Sequence, residues 1–260
     1  MALTTNDLFS VQGKVAVVTG GSRGIGAMIA QGFVENGVKT YITARKEVEL
    51  RETESRLNEL GECVAIPSDL SNNVGVAAFA DAVKEHEDQV HILVNNAGAT
   101  WGAEVDEFPE NGWDKTMNLN VKSLFFLTQN LLAPMQAAGT KDDPARVINI
   151  GSINGITHPH MTNYAYSASK AAVHQLTRHL GVDLAPRNIN VNGIAPGFFP
   201  SNMTGHILKE GGDFGAAFPR GRIGDAADAA GTAIYLSSRA SAWMTGQMLV
   251  LDGGSVANAG

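Results

Sequence analysis

A chain of 260 residues without a compositional break is long enough for one large α/β domain or two small ones, and its 44% hydrophobic and 17% charged residues fit a water-soluble globular protein. A formal net charge of -7 repels nucleic acid and anionic membrane, and the single cysteine, Cys63, excludes an intrachain disulfide or a cysteine metal cluster. No stretch approaches the roughly 18 apolar residues of a membrane span, and the N-terminus lacks a basic segment followed by an apolar one, so a cytoplasmic protein without a membrane partner is expected.

After a polar leader, the β-branched run Lys14–Thr19 predicts a strand buried on both faces. It feeds Gly20-Gly21-Ser22-Arg23-Gly24-Ile25-Gly26, and a helical pattern follows over Met28–Asn36. A strand, a glycine turn and a helix start in that order make an anion site. Glycines admit a ligand to the backbone, the helix N-terminus offers free N–H groups, and phosphate is the expected occupant. The spacing is Gly-x3-Gly-x-Gly, which differs from the G-x-G-x-x-G fingerprint.

A second strand, Lys39–Thr43, ends in Ala44-Arg45-Lys46. In dinucleotide folds an acid near this point holds ribose hydroxyls, whereas an arginine accommodates a 2′-phosphate. Ala44 stands at the acid's place with Arg45 beside it, and Arg23 in the turn flanks the same position, so NADP(H) is expected over NAD(H). Glu47 and Glu49 are expected too far along the next helix to replace the missing acid.

A helix over Glu47–Leu60 and a strand over Glu62–Pro67 lead to Asp69 at a strand's C-terminal end. There it either bonds an adenine amino group or caps the following helix, the cap being the more local reading. Cys63, inside that strand, is expected simply to pack. Helix Val74–His86 precedes strand Val90–Val94, which delivers Asn95-Asn96-Ala97-Gly98 to the sheet's edge. Small and amide residues there let the backbone approach a cofactor, although a plain Asx turn uses the same residues. Such alternation of strand and helix means βαβ units, a parallel sheet and a ligand crevice at the strand C-termini.

The alternation continues with a long helix over Trp113–Leu132 carrying Asn118, and a strand over Arg146–Ile150 ending in Gly151-Ser152. The next helix carries Tyr166-Ser167-Ala168-Ser169-Lys170, whose phenol and ammonium, four residues apart, project from one face. Proton transfer by a tyrosine near neutrality means moving its pKa by about 3 units, roughly 4 kcal/mol of differential stabilisation of the phenolate, and a nearby cation is expected to supply much of it. Alone, the spacing occurs more often as two ordinary helix residues, with Lys170 solvated. Pro186 stops this helix; a strand over Asn188–Ile194 ends at Ala195-Pro196-Gly197, and an irregular stretch follows over Phe198–Gly224. Helix Ala226–Ser237 and strand Met248–Leu251, entering Asp252-Gly253-Gly254, complete the chain.

Thr19-Gly20-x-x-x-Gly24-Ile25-Gly26, Asn95-Asn96-Ala97-Gly98, Ser152, Tyr166-x-x-x-Lys170, Pro196-Gly197 and Asp252-Gly253-Gly254 stand in order at compatible distances. With them the chain resembles the short-chain dehydrogenase/reductase family over essentially its whole length. The resemblance implies a single Rossmann-like α/β domain over residues 1–260, with a doubly wound parallel sheet of about seven strands between helices. It also implies a homotetramer built partly from the helices bearing Asn118 and Tyr166.

By the same resemblance, Tyr166 is the general acid toward a carbonyl oxygen, or the base in reverse, and Lys170 lowers its pKa and binds the nicotinamide ribose. Ser152 bonds the substrate oxygen, and Asn118 supports a water-linked proton relay, with Asn120 two positions away leaving that choice open. Gly20, Ser22, Arg23, Gly24, Ile25 and Gly26 line the cofactor with Arg45; Asp69 and Leu70 reach the adenine, and Asn96, Ala97 and Gly98 border the adjoining ribose. Pro196, Gly197 and Ser201 meet the carboxamide. Tyr164 has Ala168 as its i+4 partner, so it lines the pocket instead. Neither a metal nor a covalent intermediate is required, and the histidines, His174 among them, show no metal spacing.

Substrate choice is expected in Asn154–Asn163 and in Phe198–Phe218, the latter within a stretch over 198–224 with the length and glycine content of a substrate lid. Phe198, Phe199, Met203, Ile207, Leu208, Phe214 and Phe218 favour a hydrophobic or acyl-bearing ketone, although a lid would also turn such residues inward to pack. His174-Gln175-Leu176-Thr177-Arg178 and the run from Pro196 to Thr204 resemble the 3-oxoacyl-thioester reductase branch linked to rhamnolipid synthesis. Rival readings are a dehydrogenase of a polyol or other secondary alcohol, and a cofactor-binding regulatory protein. Proteins of the last kind commonly lose the tyrosine or lysine that this chain retains.

Overall fold

Period-two alternation of apolar side chains supplies both faces of a sheet, and helices cover each. The computed structural model describes residues 3–159, 161–200 and 214–258. Its strands are β1 (Val15–Thr19), β2 (Lys39–Thr43), β3 (Cys63–Ala65), β4 (Ile92–Asn95), β5 (Ala145–Ile150), β6 (Ile189–Pro196) and β7 (Met248–Leu251). All pairings are parallel, in the order β3-β2-β1-β4-β5-β6-β7. The α-helices are α1 (Thr5–Phe9), α2 (Gly24–Glu35), α3 (Glu47–Asn58), α4 (Asn73–His86), α5 (Glu110–Met117), α6 (Ser123–Asn130), α7 (Leu132–Ala138), α8 (Tyr164–Leu184) and α9 (Ala226–Ser237).

Along β1, Ala16 and Val18 enter one apolar cluster with Ile29 and Phe33 of α2 and Ala233 and Leu236 of α9. Val17 points the other way, into a cluster with Phe79 and Val83 of α4 and Leu127 of α6. Each fully buried Phe, Leu or Ile is worth roughly 1.5–3 kcal/mol of transfer free energy, so this two-sided pattern drives the layering. The doubly wound Rossmann-like architecture expected from the strand–helix alternation is present. Because β1 neighbours both β2 and β4, the strand order reverses there and a crevice opens at the strand C-termini.

Three local expectations change. The single helix over Trp113–Leu132 is interrupted by a π-helical turn at Asn118–Lys122, and it stops at Leu131 before α7. Pro134 has no N–H to offer the carbonyl four residues back, which accounts for that break. The helix cap expected of Asp69 belongs to Asn72, whose side chain accepts from Gly75 N–H, while Asp69 Oδ1 accepts from Ser71 N–H at 3.0 Å. Finally, β6 runs two residues past Ile194 to Pro196, because Leu251 pairs with it. Among the described residues no helix is long and apolar enough to cross a membrane.

Candidate active site

The glycine turn links the C-terminal end of β1 to the first turn of α2. Gly20 has a φ of 65°, a left-handed conformation that favours glycine. At Gly26 a Cβ would lie 2.4 Å from both Gly20 O and Asn96 Nδ2, so only glycine lets the helix start this close to the turn. Asn96 holds the turn from the next strand, its Nδ2 donating to Thr19 O at 2.8 Å and Gly20 O at 3.2 Å. Thr19 Oγ1 accepts from the N–H groups of Asn96 and Ala97, both at 2.9 Å. Arg23, at the N-cap of α2, makes no side-chain cap, which leaves first-turn N–H groups to an anion.

The charges beside the turn are arranged differently from expectation. Glu49, on the first turn of α3, reaches back to Arg23 Nη1 at 3.1 Å and to Lys46 Nζ at 2.7 Å. Lys46 and then Arg23 hold its carboxyl below the usual carboxylate range. Glu49 thus engages Arg23, the arginine expected at the phosphate. Arg45 is exposed at the end of β2. Arg23 and Lys46 thus share one carboxylate, and Arg45 adds a further exposed cation next to Lys46 in the chain, positive charge suited to a phosphate dianion.

At the C-terminal end of β5, α8 lays Tyr166 and Lys170 beside Ser152. Ser152 lies beside the Tyr166 phenol, close enough to draw its pKa down, and Ser152 Oγ accepts from Asn154 N–H at 3.1 Å. Lys170, 5% exposed, places Nζ 5.5 Å from the centre of the Tyr166 ring. Pairing between β4 and β5 ends at Asn95 and Asn149, and the next carbonyl, Ile150 O, accepts from Lys170 Nζ at 2.7 Å.

The electrostatics reverse one expectation. Burial pushes the Tyr166 phenol above its ordinary value, opposed by the Ser152 hydroxyl. Burial brings Lys170 down to about 8. The ammonium is spent on a backbone carbonyl in a desolvated site, so it does not overcome the phenol's own loss of hydration.

Asn120, within the π turn, is the amide at the site. Its Nδ2 donates to Ala99 O and to Ser169 Oγ, both at 2.9 Å, and its Oδ1 accepts from Ala99 N–H at 2.8 Å. Ser169 Oγ in turn donates to Tyr166 O at 2.7 Å. Asn120 is buried and Asn118 only partly so, with none of these contacts, so the structure shifts this position from Asn118 to Asn120. A π turn displaces side chains by one position relative to an α-helix, which helical spacing alone does not reveal. Beneath the site, Asn95 donates to Thr128 Oγ1 and Asn149 Oδ1, and Asn149 to Thr177 Oγ1, a buried amide ladder joining β4, β5, α6 and α8.

Leu70 is buried and Asp69 exposed at the end of β3's connection, and Gly98 abuts Asn120, whose Oδ1 would sit 3.2 Å from an added Cβ. Pro196 ends β6, and Gly197 N–H donates to Leu251 O at 2.9 Å. Ser201, Met203, Ile207, Leu208, His160 and His206 lie outside the described residues. Of the flanking aromatics, Phe199 is 3% exposed and joins the core, so packing accounts for it. Phe198 and Phe218 meet at a tilt of 42°, with ring centres 5.2 Å apart. Tyr164 contacts Phe108 edge-on at 5.9 Å, at the rim of α8. Among the described residues no group of three His, Cys, Asp or Glu side chains could hold a metal.

Residues 14–211 match the short chain dehydrogenase family. The chain is 47% identical to a rhamnolipids biosynthesis 3-oxoacyl-[acyl-carrier-protein] reductase of Pseudomonas aeruginosa, over 95% of this chain and 97% of that protein. It superimposes on the active-site complex of Pseudomonas aeruginosa RhlG with NADP with a TM-score of 0.93 at 46% identity, covering 96% of this chain and 99% of the other. A gluconate 5-dehydrogenase from Burkholderia cenocepacia, solved with NADP and tartrate, aligns with a TM-score of 0.88 at 31% identity, over 98% and 100% of the two chains.

Proposed function

Because the chain belongs to the short chain dehydrogenase family, we propose that it is an NADPH-dependent reductase of a ketone, with a 3-oxoacyl thioester or similar hydrophobic carbonyl as substrate. The observation that carries this reading is the convergence of Ser152, Tyr166 and Lys170 at the end of β5. The cofactor fits the residues present. The turn at Gly20–Gly26 leaves a glycine cradle and uncapped N–H groups for the pyrophosphate, and Arg23, Arg45 and Lys46 offer a 2′-phosphate more positive charge than Glu49 cancels. NADPH, when bound, supplies the hydride.

The chain's own residues supply the proton and the geometry. Ser152 Oγ and the Tyr166 hydroxyl, neighbours at the end of β5, converge on the substrate's carbonyl oxygen, and Tyr166 transfers its proton to that oxygen as negative charge develops there. Lys170 holds the end of β5 through Ile150 O and sits beside the phenol, where its positive charge favours the phenolate left after transfer. Asn120 fixes the turn of α8 that carries Tyr166, through Ser169.

Substrate selection falls to 154–163 and to a lid over 198–224. The same reading carries a homotetramer and a cytoplasmic location. The second reading, oxidation of a polyol, draws support from the gluconate 5-dehydrogenase relative. A panel of 3-oxoacyl thioesters, simple ketones and sugar alcohols, run with NADP(H) and NAD(H), separates the two. Faster turnover of sugar alcohols than of every thioester refutes the first reading, and larger thermal stabilisation by NAD than by NADP refutes the assignment of the three cations.

A further inference from the structure

His174 lies one helical turn beyond Lys170 on the same face of α8 and is 4% exposed. Its ring occupies the space beneath the turn that presents Ser152. A Cβ on Gly151 would meet His174 Nε2 at 2.3 Å, and one on Gly155 would meet Cε1 at 2.9 Å, so glycines on both sides of Ser152 make room for the imidazole. His174 Nε2 accepts from the backbone N–H of Ser152 at 3.4 Å.

The three residues that leave β5 are thus each held at a backbone group. Ile150 O accepts from Lys170, Gly151 N–H donates to Ile194 O at 2.7 Å, and Ser152 N–H donates to His174. Lys170 and His174, four residues apart, grip two successive peptides of one turn from the same helix.

We propose that His174 is a positioning residue, which fixes the Ser152 peptide and thereby aims the Ser152 hydroxyl at Tyr166 and the substrate oxygen. The inference rests on the reading of Ser152 and Tyr166 as catalytic. An acceptor at Nε2 requires the neutral ring with its proton on Nδ1. Desolvation, reinforced by the charges of Lys170 and Arg178, brings the imidazole down to about 4, so it is that acceptor throughout the neutral range. A leucine fills the same space without accepting. Glutamine places an amide oxygen where Nε2 stands, and asparagine, one methylene shorter, does not reach.

The test uses the full-length protein with NADPH and the best ketone of the substrate panel, and compares H174L, H174N, H174Q, S152A and the double variant S152A/H174L. The inference expects H174L and H174N to lose at least about tenfold in kcat, with KM for NADPH within about twofold of wild type. It expects H174Q to retain kcat within about threefold, and the double variant to be no slower than S152A, because an unaimed hydroxyl and a missing one fail at the same step. In the cofactor-free protein, hydrogen exchange of the peptide spanning 150–153 should quicken in H174L and H174N but not in H174Q. If H174L does not fold, the glutamine–asparagine pair decides alone.

Wild-type kcat and unchanged exchange in H174N, or losses that multiply in the double variant, overturn the inference while an inactive S152A leaves the catalytic reading standing. A fully active S152A overturns both.

Discussion

Replacing Lys170 by methionine changes how stability depends on pH. In the folded chain the ammonium has lost its water, and its pKa falls from 10.5 to about 8. A gap of about 2.5 pH units is worth about 3 kcal/mol. Below pH 8 both the folded and unfolded chains hold this proton, and the folded state carries the full penalty. Between pH 8 and 10.5 the folded chain releases it while the unfolded chain keeps it, so this group's contribution to stability rises with pH.

Methionine removes that penalty but leaves Ile150 O without its 2.7 Å donor, which costs about 1–3 kcal/mol. At pH 7 the two effects nearly cancel, and K170M should be as stable as wild type or more so by up to about 2 kcal/mol. By pH 10.5 wild type should be the more stable by about 1–3 kcal/mol. The assay is urea unfolding of the cofactor-free protein at fixed concentration, in steps from pH 7 to 10.5. A stability difference that stays constant across this range refutes the buried, desolvated ammonium.

Three further outcomes follow from the same structure. Burial raises the Cys63 thiol to about 12 from 9.0, so stability present below pH 9 is lost as pH rises from there toward 12; C63A should flatten that loss in thermal melts at pH 8, 9 and 10. N120A removes one buried and two part-buried hydrogen bonds and should cost about 2–4 kcal/mol in urea unfolding, whereas N118A should stay within about 0.5 kcal/mol. G26A forces a Cβ to 2.4 Å from Gly20 O and Asn96 Nδ2; its NADPH affinity, measured by fluorescence, should fall at least about tenfold.

The sheet was legible because its strands are short β-branched runs between turn residues, and β2, α9 and β7 begin and end where the residues change character. The site was legible wherever the chemistry is local. Tyr166 and Lys170 share a face because four residues make one helical turn, and Gly20 to Gly26 announce a turn because little else tolerates that backbone.

What escaped was non-local or desolvation-dependent. The choice between Asn118 and Asn120 hangs on a π turn and on contacts of Asn120 with Ala99 and Ser169, far away in sequence. Glu49 reaches Arg23 across 26 positions, and only the fold brings them together. The rise of the Tyr166 pKa follows from burial, which spacing on a helix does not convey. His174 carried a faint signal, its i+4 relation to Lys170, but the partner that gives it meaning, the Ser152 N–H, is 22 positions away.

Tyr166→Phe tests the central claim most directly, because it removes one hydroxyl and leaves the helix, the glycine turn and the cation cluster in place. NADPH affinity of the variant should match wild type within about twofold, while kcat for the best ketone should fall by about 10²–10⁴, the usual worth of a positioned general acid. Undiminished kcat in a variant that binds NADPH normally contradicts the account.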